Sequence, residues 1–211
     1  ERWPTADVLG LDSSRTMLEK AASHAGRVQW QLGDIQTWKP TQPANLIYCN
    51  ASLHWLDDHE RLLASLMEHL SDNGCLAVQM PLSHQQKTLA LIVEELDALQ
   101  AEPLEMSLSL LVEKFTGPWM HDAPDYHRLL APLSRELRVW GTEYFHALSG
   151  PDPVMNWLSG TALRPAFKHL AERDSSQLLS NFATAVAKQY PRHSDGTVLL
   201  PYKRLFLVAY K

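Results

Sequence analysis

No apolar run in these 211 residues approaches the roughly 18 that a helix needs to cross a bilayer. The sequence therefore carries no membrane-spanning helix. Cysteine is scarce: Cys49 and Cys75 are the only two, both in apolar strand-like runs, which is too few for a disulfide framework or a zinc site and points to a reducing, cytoplasmic setting. Positive charge is short as well. Nineteen Lys and Arg against twenty-four Asp and Glu give a formal charge of -5, so no basic footprint invites a nucleic-acid backbone or an anionic membrane, and a small-molecule partner is expected. The nine glycines fall at 10, 26, 33, 74, 117, 141, 150, 160 and 196, so no G-x-G loop occurs. There is also no G-x-S-x-G elbow and no H-E-x-x-H, which removes the usual signatures of a serine hydrolase and a zinc protease. The first residues, "ERWPTADV", include neither an initiating methionine nor a basic-plus-apolar leader; no signal peptide is expected here, and the abrupt start suggests part of a longer chain.

What is present reads as one domain, residues 1–211, of average soluble composition, 45% hydrophobic and 20% charged. Residues 6–12 form a brief apolar strand, and "SSRTMLEKAASH" follows with a hydroxyl cap and good helix formers, Met17 and Leu18 on the buried side. "RVQWQLGD" alternates Val28, Trp30 and Leu32 inward. "ANLIYCN" is nearly continuous in apolar residues, as in a strand buried on both faces. A leucine-striped helix is expected over 57–74 with an Asn-Gly stop, then a strand over 75–81 and an amphipathic helix over 83–100. Strands alternating with helices imply an α/β, doubly wound parallel sheet. The later half breaks the pattern: two long β-rich runs, 135–148 and 202–211, flank helical pieces, which predicts a closing antiparallel pair at the sheet edge with a helical cap from about 100–131 and 151–190.

In an open α/β sheet ligands bind beyond the carboxyl ends of the strands. The first strand delivers Asp12 and Ser13 there, the second Gly33, Asp34 and Ile35, the third Asn50 to Trp55, and the fourth Gln79 to Pro81. Taken alone, Asp12 before two serines reads equally as a helix cap, and Asp34 after Gly33 as turn chemistry. Together, from neighbouring strands, they suit the two ends of an adenosine: ribose hydroxyls at Asp12, an exocyclic amine at Asp34.

Through "GLDSS", "GDIQTW" and "NASLHWLDDHERLL" the sequence resembles class I S-adenosylmethionine-dependent methyltransferases. With "LAVQMP", "TEYFHAL", "GTALRPAF" and "RLFLVA" in this order, the likeness narrows to the trans-aconitate 2-methyltransferase family. The resemblance implies a Rossmann-like sheet that binds S-adenosyl-L-methionine. Asp12 and Ser13 would then lie at the ribose, Met17 against the adenine, Asp34 and the Ile35 backbone at its edge, and Asn50 beside the methionine moiety. It also implies a strand and glycine-rich loop upstream of Glu1, central in the sheet. "GTALRPAF" would cover the mouth of the site, with Arg164 facing a carboxylate of a small organic acid such as trans-aconitate; Tyr144, His146 and His54 could add hydrogen bonds and Trp55 could exclude water. His54 stands where the resemblance leads one to expect glutamine. No catalytic acid or base and no metal is implied, because a carboxylate, with a pKa of about 4, is already a nucleophile at neutral pH. Two rival readings are an inactive methyltransferase remnant serving as a binding module and a nicotinamide oxidoreductase, whose ribose-gripping acid also closes the second strand.

Overall fold

The computed structural model describes residues 4–24, 26–98, 120–159 and 172–211. They fall into two compact units, Glu1–Ala44 and Asn45–Lys211.

The first unit holds β1 (Val8–Asp12), α1 (Arg15–Ala22) and β2 (Val28–Leu32). β1 and β2 pair in parallel from Val8↔Val28 to Asp12↔Leu32, as a strand–helix–strand crossover requires. Ser14 caps α1, its Oγ accepting the Met17 N–H at 3.4 Å. Gly10 faces Trp30, and a Cβ there would sit 2.2 Å from the indole, so the ring lies directly over the β1 backbone. The expected inward packing of this unit is corrected here: Trp30 is 43% exposed, Leu32 46% and Met17 54%. Two strands and one two-turn helix offer no second layer within the unit to bury either face.

The second unit is built on a four-stranded sheet in the order β3 (Ala44–Asn50), β4 (Leu70–Pro81), β6 (Val198–Tyr210), β5 (Glu136–Leu148). Asn45 meets Ser71 near one end of the β3–β4 seam and Ala51 meets Gln79 near the other, so these two strands run the same way. β6 is antiparallel to both β4 and β5, and its pairing with β5 runs unbroken from Glu136↔Tyr210 to Leu148↔Val198. The closing antiparallel pair is therefore as expected, with helices α5 (Pro153–Ser159) and α6 (Glu172–Gln189) inserted between its strands.

Alternation sorts this sheet into two faces. On one, Leu76, Val78 and Met80 of β4 oppose Ala209, Leu207 and Leu205 of β6, all buried along with Leu62, Leu63, Leu66 and Met67 of α2 (His59–Glu68) and Tyr126 and Leu130 of α4 (Ala123–Leu130). On the other, Val198 and Leu200 lie beneath a core from α3 (Lys87–Ala98), α5 and α6: Ile92, Leu96, Val154, Leu158, Leu178, Phe182 and Val186.

Two boundaries differ from expectation. β3 is not buried on both faces: Ile47 and Cys49 are inside, but Leu46 is 48% and Tyr48 67% exposed, because β3 is an edge strand of this sheet. α2 stops at Glu68 rather than at Asn73–Gly74, and β4 begins at Leu70. The cause is remote in sequence. Lys211 donates its Nζ to the carbonyls of Glu68 at 3.1 Å and Leu70 at 2.9 Å and its backbone N–H to Gly74, a cationic close on the helix end that no local signal announces. Among the described residues no helix is long and apolar enough to cross a membrane.

Candidate active site

In the first unit, parallel pairing brings Asp12 and Asp34 to the same rim. The Gly33 N–H donates to the Asp12 carbonyl at 3.1 Å, so the second carboxylate follows one residue beyond the end of the ladder. Each acid uses Oδ1 locally: Asp12 accepts the Ser14 N–H at 2.7 Å, Asp34 the Gln36 N–H at 2.9 Å. Both are turn contacts: Ser14, not Asp12, caps α1, so the cap reading of Asp12 is corrected while the turn reading of Asp34 holds, and each acid engages only one oxygen. Oδ2 of each has no hydrogen-bond partner among the described residues, and both side chains are exposed. Ser13 and Met17 are also exposed and Ile35 half-buried. The arrangement fits a nucleoside: acceptor oxygens for ribose hydroxyls and for an amine, with an open thioether nearby in sequence to lie on a ring.

In the second unit, Asn50 ends β3 exposed, and the chain turns at once through Ala51 at φ 50°, a left-handed conformation uncommon outside glycine. The Ala51 N–H donates to the Gln79 carbonyl at 2.8 Å, which fixes this turn at the carboxyl end of β4. Strain held at a strand end beside a polar side chain is the kind of feature that functional rims keep.

Past that turn, a short 3-10 segment, Leu53–Trp55, places His54 inside, 7% exposed, with its ring 4.6 Å from that of Trp55, which is 42% exposed. Burial, and then the nearby His59, lower the His54 pKa to about 4. His59 is itself 2% exposed and its pKa is lowered, chiefly by burial. Its Nε2 lies 3.0 Å from the Leu53 carbonyl and its Nδ1 2.5 Å from the Tyr126 hydroxyl. A carbonyl only accepts, so Nε2 carries the proton and Tyr126 donates to Nδ1. Tyr126→Phe is expected to leave that nitrogen unmatched and to lower stability by about 1–3 kcal/mol, read by urea denaturation.

These neutral histidines also set a pH dependence. Their folded pKa values lie below the unfolded value near 6.5, so the unfolded chain binds protons first. For His54 this stability is present above about 6.5 and falls as pH drops toward about 4, by at most about 1.4 kcal/mol per pH unit, and His59, whose pKa is also lowered, acts in the same direction. His54→Gln is expected to flatten this acid limb between pH 4 and 6.5 in thermal melts; an unchanged slope would show that His54 takes up its proton as readily in the folded chain as in the unfolded one.

Tyr144 and His146 stand on neighbouring same-face positions of β5, rings 6.3 Å apart, with Trp157 of α5 and Tyr202 of β6 at 5.5 and 5.9 Å from the imidazole. The second unit thus forms two groupings, His54–Trp55–His59 and Tyr144–His146. Arg164 lies outside the described residues. The sequence reading counted Gln79 among the strand-end candidates without giving it a role, and passed over Tyr202 and Arg204. The available signal was strand parity: in "YKRLF" Arg204 shares a face with Tyr202 and Phe206, an odd place for a charge in a β-rich run. Both cysteines are free, and burial raises the Cys49 thiol to about 12, so neither marks a reactive centre. Among the described residues no three His, Cys, Asp or Glu side chains gather as metal ligands.

The chain is similar to known methyltransferases. A family described as "Methyltransferase domain" matches residues 1–74. Trans-aconitate 2-methyltransferase of Pseudomonas aeruginosa PAO1 is 35% identical over 208 residues, 99% of this chain and 76% of that protein. The enzyme of that name from Azoarcus sp. BH72 is 36% identical over 209 residues, 99% and 79%. Among solved structures, the YcgJ protein of Bacillus subtilis matches with a TM-score of 0.57 at 12% identity, covering 97% of this chain and 82% of that one. A phosphoethanolamine N-methyltransferase of Haemonchus contortus, solved with phosphomonomethylethanolamine and S-adenosylhomocysteine, matches at 0.53 and 11%, covering 96% and 43%. These structural likenesses speak for the Rossmann-like fold. The family match and the sequence identities set the nicotinamide oxidoreductase aside and agree with S-adenosyl-L-methionine as the cofactor implied by the sequence. With a third of its residues identical along nearly its whole length, the chain belongs to the trans-aconitate 2-methyltransferase family.

Proposed function

We propose that this chain carries out S-adenosyl-L-methionine-dependent O-methylation of a carboxylate on a small organic acid such as trans-aconitate. The observation that carries the cofactor half is the shared rim of β1 and β2, where Asp12 and Asp34 each keep an oxygen unengaged. Asp12, helped by Ser13, would accept from the ribose hydroxyls; Asp34 and the Ile35 backbone would read the adenine edge, Met17 would lie on the ring, and Asn50 would border the methionine portion. The acceptor half rests on family membership and on Tyr144, His146, His54, Trp55 and Arg164 as candidates for acid binding.

When bound, the cofactor supplies a sulfonium methyl: the acceptor oxygen gives the electron pair of the new O–CH3 bond, the C–S pair returns to sulfur, and no proton moves. Opposite charges disappear in that step, so the protein's work is to hold the acid in line and keep water away rather than to transfer protons. A neutral His54 suits such a role, since an acid–base group is not required. Incubation with S-adenosyl-L-methionine labelled in the methyl group and a panel of mono-, di- and tricarboxylic acids is expected to give an ester that releases labelled methanol in alkali. Label in no acid, or in an alkali-stable product, would overturn the reading.

A further inference from the structure

An arginine is charged at any pH that a protein survives, so a partly buried one needs something to face. Arg204, in the middle of β6, is partly buried. No described residue offers it a carboxylate; the ion pairs among them are His84–Asp122, Arg128–Asp125 and Arg138–Glu136. What holds it is neutral. Its Nη1 donates to Oε1 of Gln79 at 3.3 Å, and the rings of Tyr144 and Tyr202 lie 5.5 and 5.3 Å from the guanidinium carbon. Such contacts orient the guanidinium plane without cancelling its charge.

Two donor nitrogens stand here with nothing to bond. Nε of Arg204 and Nε2 of Gln79 are buried and lack hydrogen-bond partners among the described residues. Gln79 is only 6% exposed, and the Arg204 contact fixes its amide, since Oε1 alone can accept from a guanidinium. Its Nε2 is therefore a donor without an acceptor, a state that costs free energy unless a ligand relieves it. The place is apt. Gln79 is the residue whose carbonyl holds the Ala51 turn, so the grouping stands at the strand-end rim onto which Asn50 emerges, and half-exposed Tyr144 leaves it an approach from solvent.

We propose that Arg204 and Gln79 form a dock for a carboxylate of the acceptor acid that is held and not methylated. This rests on the methyl-acceptor reading above. The docked group is the spectator because oxygens bonded to a guanidinium and an amide have their lone pairs engaged and are poor nucleophiles. The reacting carboxylate is another one, placed by the first.

The test compares the wild type with Arg204→Met and Arg204→Lys, each shown folded by circular dichroism. Arg204→Met is expected to raise KM for trans-aconitate about 10- to 100-fold, the value of hydrogen bonds to a charged group, with a much smaller change in kcat. It should also erase the wild type's preference for dicarboxylates over monocarboxylates, and Arg204→Lys should restore part of it. Unchanged KM or a retained preference in folded Arg204→Met would overturn the dock. Calorimetry with trans-aconitate and succinate separates this from failure of the activity itself: a wild type that methylates no acid but binds both, with binding lost in Arg204→Met, keeps the dock and sinks the methylation reading. Equal binding by wild type and variant sinks the dock.

Discussion

Asp12→Ala is expected to weaken binding of S-adenosylhomocysteine about 100- to 1,000-fold, measured by calorimetry side by side with the unaltered chain. A ribose presents two neighbouring hydroxyl donors, and a carboxylate receiving both makes two hydrogen bonds to a charged acceptor, each worth about 1.5–3 kcal/mol. At about 1.4 kcal/mol per tenfold, even the weaker figure for two bonds gives about 100-fold. Asp12→Asn keeps one acceptor and loses the charge, so it should fall between. The Ser14 N–H, now bonded to Asp12 Oδ1, is exposed and can turn to water, so loss of that bond alone should cost little stability and the affinity change can be read on a folded protein. Asp34→Ala should have a smaller effect, since one amine and not two hydroxyls is at stake. Binding within threefold of the original in Asp12→Ala would remove the ribose role and leave Asp12 only its turn contact with Ser14.

The two acids were legible in the sequence because their placement is local: a short strand, an acid, then a capped helix, and a second strand ending in Gly-Asp. Parallel pairing of β1 and β2 follows from the helix between them, and it puts both acids on one rim whatever else the chain does. The closing β5–β6 pair was legible for a similar reason, two long β-rich runs separated by helical sequence. Burial was not. Trp30, Leu32 and Met17 were placed inward from periodicity, which identifies a face but not what covers it. The end of α2 was misplaced because its deciding contact comes from Lys211, about 140 residues away in sequence. Arg204 was overlooked for a related reason: its meaning comes from Gln79 on β4 and Tyr144 on β5, and strand pairing, not sequence proximity, brings those together.

Phe182→Ala is expected to cost about 3–5 kcal/mol of stability, a large share of the roughly 5–15 that a domain possesses. Phe182 is 1% exposed, in the middle of α6, and belongs to the core that joins α3, α5 and α6 to Val198 and Leu200 of β6. Three helices meet there on a sheet, so no single neighbour can close the space that the ring leaves. Phe182→Leu, which keeps most of the volume, should cost less than about 1.5 kcal/mol. Urea unfolding measures both, and a loss below about 1 kcal/mol for Phe182→Ala would show that these helices do not depend on the ring to stay packed. The same core also bears on the dock. Trp157 packs against it and stands 5.5 Å from the His146 ring and 5.0 Å from that of Tyr202, so loosening α5 should displace the aromatic wall around Arg204. In Phe182→Ala, under conditions where the protein remains folded, KM for a dicarboxylate should therefore rise while affinity for S-adenosylhomocysteine, which the proposed function assigns to Asp12 and Asp34, changes little; Asp12→Ala should do the reverse.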